Sequence, residues 1–150
     1  MSQIILLDST PLGLISNPRS SPENDSCNQW VQRQLQAGVA IAISEIADYE
    51  VRRELLRAGK QRGIAKLNSL KNTLDYLPLN TATILRAAEF WAQARQMGRP
   101  TAHDLKLDAD CIIAAQADLL GADGHTVTVA TSNVAHLALF VPAAHWQDIS

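Results

Sequence analysis

The sequence has no closely spaced cysteines. Cys27 and Cys111 are the only two, which excludes a CxxC motif and reads as a pair of free thiols in a reducing compartment. No apolar stretch approaches the roughly 20 residues that cross a bilayer, so no membrane span is expected. The N-terminus has no basic start and only a very short apolar run, so no signal peptide is expected and the cytoplasm is the expected setting. Positive charge is not in excess. The net charge of −2 gives no global basic field to draw in nucleic acid, but it leaves metal-assisted phosphate chemistry open. GxSxG, P-loop and GxGxxG signatures are all missing. The histidines at 103, 125, 136 and 145 lack HExxH or His–Cys spacing, which argues against zinc. There is no internal repeat and no low-complexity tract.

What remains is a chain of 150 residues, 47% hydrophobic, long enough for one domain (1–150) with a sizeable core. Residues 3–8 (QIILLD) read as a strand buried on both faces. Residues 17–28 read as a loop, 28–37 as a helix with Trp30, Val31 and Leu35 inward and Gly38 at its end, and 39–43 as a second strand. Ser44 is a suitable N-cap for the helix that follows. DYLPL (75–79) reads as a short edge strand, 81–97 as a long helix capped by Asn80 or Thr81, and 98–104 as a loop. A helix over 108–120, a strand over 126–131 and a short fifth strand within 137–141 complete the pattern. Strands alternating with helices predict an α/β/α sandwich of three layers on a mainly parallel, four- to five-stranded sheet.

Ligands of such sheets bind beyond the carboxyl ends of the strands. Asp8 stands at one such end, with Ser9 and Thr10 after it, and Thr131, Ser132 and Asn133 follow another. The helix after the second strand carries Glu45, Asp48, Glu50 and Glu54, and the helix from 108 carries Asp108 and Asp110 in its expected first turn. Oxygen ligands converging on one rim suit Mg²⁺ or Mn²⁺. Each acid has a plainer role available. Asp8 can serve as a turn former, Asp108 and Asp110 as helix caps, the acids of 45–54 as a solvated helix face, and Asn133 as a loop residue. Glu50 stands apart in sharing a face with the inward-looking Ile46. LLDST also evokes an aspartyl phosphotransferase, but Thr10 stands where haloacid-dehalogenase-type enzymes carry a second Asp.

Four segments in order, LLDST, ISEIADYEVRREL, DADCIIAAQA and VATSN, resemble the PIN-domain ribonucleases, in particular the VapC-like toxins of toxin–antitoxin pairs. The resemblance spans essentially the whole chain. It implies a Mg²⁺- or Mn²⁺-dependent endoribonuclease in which Asp8, Glu50 and Asp110 are the catalytic and metal-holding carboxylates, with Asp108 and Asn133 as further candidate ligands. Ser9, Thr10 and Thr131 would orient ligands or water around them. It also implies a cognate antitoxin and favours a homodimer. The chain departs from many relatives at Asn133, which replaces a fourth acid and leaves the number of metal ions open.

Arg52, Arg53, Arg57, Lys60, Arg62, Lys66 and Lys71 form a basic run with Glu54 among them. Arg52, Arg53 and Arg57 are the candidate RNA-backbone contacts, and a solvated helix surface is the alternative. A different class of function, a catalytically silent PIN-like module that binds RNA or a partner protein, is set against the enzyme by Asn133 and opposed by the retained acids.

Overall fold

The computed structural model describes residues 2–98 and 104–150, so most of the loop expected at 98–104 lies outside the described residues. The elements are β1 (Gln3–Leu7), α1 (Ser9–Ser16), α2 (Pro22–Gln36), β2 (Ala40–Ser44), α3 (Glu45–Arg57), α4 (Gln61–Thr73), β3 (Asp75–Leu77), α5 (Thr81–Gln96), α6 (Asp104–Ala122), β4 (Thr126–Ala130), α7 (Val134–Leu137) and β5 (Ala143–Ala144). The strands form one sheet in the order β3-β2-β1-β4-β5, every neighbouring pair parallel. Helices cover both faces, as the strand–helix alternation predicts.

The period of two along each strand divides the core between the layers. Leu6, Ala42, Val127 and Val129 pack toward α5 and α6, around Phe90, Ile113 and Leu137. Ile5, Leu7, Ile41, Ile43 and Ala130 face the other way, onto Leu12, Ile15, Trp30, Val31 and Leu67 of α1, α2 and α4. Burial on both faces explains why β1 is a continuous apolar run rather than an alternating one.

Several local expectations are corrected. The residues 17–28 are not all loop: α2 begins at Pro22, because Ser21 caps it (its hydroxyl accepts from Asn24 N at 3.1 Å) and proline suits the first helical turn. Leu35 is exposed while Trp30 and Val31 are buried, and Gly38 ends the segment at φ +84°. Ser44 sits at the N-cap position of α3 without capping it, since its hydroxyl donates to Gln116 Oε1 at 2.6 Å. Asn80 does cap α5, accepting from Thr83 N at 2.8 Å. The fifth strand is Ala143–Ala144 rather than part of 137–141, and α6 starts at Asp104 rather than 108. Asp110 therefore lies beyond the first turn of its helix, which removes the capping explanation for it.

Candidate metal centre and nucleic-acid groove

β1 leads through β2 and β3 to one side of the sheet, whereas β4 and β5 lie on the other. The β1/β4 junction is thus the topological switch point, where a crevice opens at the carboxyl rim. Leu7 pairs with Ala130, so the next residues, Asp8 and Thr131, emerge side by side.

Asp8 is 5% exposed and Asp110 2%. Asp8 serves as the N-cap of α1, with Oδ1 accepting from Ser9 N at 2.8 Å. The turn-former reading of this residue is therefore correct as far as it goes. Its other oxygen, Oδ2, accepts from Thr131 Oγ1 at 2.8 Å. Thr131 Oγ1 in turn accepts from Asn133 N at 2.9 Å, and Asn133 Nδ2 donates to Asp110 Oδ2 at 2.6 Å. Residues 131–133 thereby bridge the two buried carboxylates. Thr10 and Ser132 share a hydroxyl–hydroxyl bond of 2.8 Å across the same rim.

The four acids of α3 separate into different roles. Asp48 is buried and accepts from Arg52 Nε at 2.9 Å and Tyr76 Oη at 2.7 Å, with Lys71 Nζ at 3.7 Å. Burial first, and then the bond to Asp48, pushes the Tyr76 hydroxyl well above its ordinary pKa. Glu45 accepts from Leu79 N at 2.8 Å, and Glu54 pairs with Arg57 at 2.9 Å. Glu50, half-buried, lines a groove of about 780 Å³ together with Ser9. Glu54 lines the same groove one turn further along α3. Asp108 is exposed and lines a separate shallow groove between α5 and α6 with Ile84 and Trp91.

Among the described residues, no three His, Cys, Asp or Glu side chains stand close enough together to form a ready-made metal cage. The donor chemistry nevertheless fits a hard cation. Asp8 is a buried carboxylate whose hydrogen bonds come from a backbone N–H and a hydroxyl, and a buried anion needs compensating positive charge. Asp110 supplies a second buried carboxylate, tied to the first through residues 131–133.

The basic run is also divided. Arg52 is held by Asp48 and Asn68, Lys71 by Asp48, and Lys66 donates to Asn17 O. Arg53 lies over the Tyr49 ring at 5.1 Å and lines the groove beside Glu50, with Arg19, Lys60 and Arg62. Arg19 was not singled out from the sequence. It stands alone in the connection between α1 and α2, and only the fold brings it to this wall.

The chain belongs to the PIN domain family, whose model matches residues 5–133. That is a family of nucleases, and the likeness read from LLDST to VATSN is borne out. The fold is similar to VapBC2 from Rickettsia felis, solved with a DNA fragment from its promoter, with a TM-score of 0.72 at 16% identity over 96% of this chain and 99% of that one. It is also similar to VapBC-1 from nontypeable Haemophilus influenzae, with 0.65 at 17% over 97% and 100%, and to DNA-bound VapBC from Salmonella typhimurium, with 0.63 at 18% over 97% and 99%. Comparison with curated protein sequences gives no match. Among the described residues no helix is long and apolar enough to cross a membrane.

Proposed function

We propose that the whole chain, 1–150, is a divalent-metal-dependent endoribonuclease that acts as the toxin of a toxin–antitoxin pair in the cytoplasm. The observation that carries this reading is the pair of buried carboxylates, Asp8 and Asp110, tethered by Thr131 and Asn133 at the switch point of a PIN-domain sheet.

In this reading Asp8 and Asp110, with Glu50 from α3, hold Mg²⁺ or Mn²⁺. The bound ion supplies Lewis acidity toward the phosphodiester and its attacking water. The protein does the rest. Thr131 fixes Asp8 through Oδ2, Asn133 fixes Asp110, and the cap that Asp8 makes on α1 keeps that anchor at the end of the sheet. Asn133 contributes an amide where a fourth acid would add charge, which favours one ion over two. Arg19, Arg53, Lys60 and Arg62 draw the RNA backbone along the groove that passes Glu50.

The likeness to VapBC complexes supports an antitoxin protein partner, and the apolar side chains open on α5 are consistent with a homodimer. Leu85 is 63% and Trp91 39% exposed, although Phe90 of the same helix is buried against Phe140. A second reading, a silent PIN-like module that binds RNA or a partner, is favoured by the neutral Asn133 and by the lack of a preassembled three-carboxylate cage among the described residues. The test is cleavage of a mixed single-stranded RNA by chelator-treated protein before and after Mn²⁺ is restored. Cleavage that returns with Mn²⁺ supports the enzyme. RNA retention without cleavage at any Mn²⁺ concentration supports the silent module.

A further inference from the structure

α7 is a single turn, and the residue at its N-cap position, Asn133, touches Asp110. His136 N and Leu137 N both donate to Asn133 O at 3.2 Å, so Asn133 and His136 are set three residues apart on one face of that turn. Leu137 is fully buried and pins the turn to the core. Both polar side chains consequently aim at the same oxygen. Asn133 Nδ2 lies 2.6 Å from Asp110 Oδ2, and His136 Nδ1 lies 3.7 Å from it.

His136 Nδ1 is buried and makes no hydrogen bond. A ring nitrogen facing a carboxylate suits it as an N–H donor, since a lone pair there would oppose the anion. At 3.7 Å the contact is a close electrostatic approach rather than a hydrogen bond. Carboxylates that hold a metal are themselves held by such donors, which set the angle at which their oxygens meet the ion.

We propose that His136 is a positioning residue for Asp110. Its Nδ1–H, beside Asn133 Nδ2, holds the Oδ2 edge of the carboxylate and so fixes how that carboxylate meets the cation. The proposal rests on the cation-site reading above, and its test separates the two.

The measurement is Mn²⁺ affinity of the full chain, read from the spin-resonance signal of free Mn²⁺, for the parent, His136→Ala, His136→Asn and His136→Gln. An asparagine amide nitrogen falls where Nδ1 lies, and a glutamine amide nitrogen reaches to where Nε2 lies. His136→Ala should weaken Mn²⁺ binding by about 10-fold or more. His136→Asn should recover most of the loss, and His136→Gln should not. Metal-free melting beside each titration shows that the variants are folded, and the Asn–Gln comparison stands even if the alanine variant does not fold. An alanine variant that binds Mn²⁺ as the parent does, or an asparagine variant no better than glutamine, overturns the proposal. Asp110→Asn in the same titration is the control. Parent-like Mn²⁺ affinity there, or no binding by the parent, removes the cation site itself rather than the role of His136.

Discussion

Asp48 and Glu50 lie two residues apart on α3 and should fail in opposite ways. Asp48→Ala removes the acceptor of Arg52 Nε at 2.9 Å and of Tyr76 Oη at 2.7 Å, and the neighbour of Lys71 at 3.7 Å. Breaking a fully buried ion pair costs about 3–5 kcal/mol. Arg52 and Lys71 are 27% and 37% exposed and Arg52 keeps Asn68, so water recovers part of the loss. A cost of about 2–3 kcal/mol is expected after that discount. In a domain of this size it lowers Tm by about 5–10 °C. The further rise in Tm expected with saturating Mn²⁺ should remain, since Asp48 is engaged by Arg52, Tyr76 and Lys71. Glu50→Ala should show the reverse: a small change without metal and a smaller rise with Mn²⁺. Differential scanning calorimetry of both variants with and without Mn²⁺ decides the matter. An Asp48→Ala protein as stable as the parent, or one whose Mn²⁺ response is lost, would refute the separation of roles along α3.

Three further outcomes are expected. Thr131→Val keeps shape but removes the bonds to Asp8 Oδ2 and from Asn133 N, at a cost of about 1–3 kcal/mol in urea unfolding. Neutralising Arg53, Lys60 and Arg62 together should weaken RNA binding and flatten its salt dependence, measured as the slope of log affinity against log salt, and an unchanged slope would make this wall an ordinary solvated surface. Burial, aided by Glu23 at one thiol and by Asp110 and Asp108 at the other, pushes Cys27 and Cys111 from 9.0 up to about 12. The folded state therefore favours the neutral thiols, and their stabilisation is complete below pH 9 and is lost as pH rises toward 12. Thiol labelling at pH 8 should be slow in the folded protein and fast in denaturant.

The strands were legible because two-sided burial leaves an unmistakable apolar run, as in IILL of β1 and VAIAI around β2. The start of α2 was not, because the Pro-, Ser- and Asn-rich 17–28 reads as loop while those same residues supply its cap and its first turn. β5, only two residues long, has no pattern to read. The half-burial of Glu50 was legible through its spacing from Ile46. The burial of Asp48 was not, since its partners Tyr76 and Lys71 come from β3 and α4. Asp110 was chosen by likeness; its burial and its contacts with Asn133 and His136 from the end of β4 were not legible, since its helix begins earlier than the sequence suggests.

The central claim is that Asp110 holds a catalytic cation. Asp110→Asn keeps the size of the side chain and an oxygen for Asn133 Nδ2, but loses the charge that a hard cation needs. The decisive measurement is RNA cleavage by parent and Asp110→Asn at the same Mn²⁺ concentration, with melting curves to show both folded. The account predicts cleavage by the parent and a background rate for the variant, with folding intact or, without metal at neutral pH, improved. A variant that cleaves as fast as the parent would remove Asp110 from the site and contradict the account.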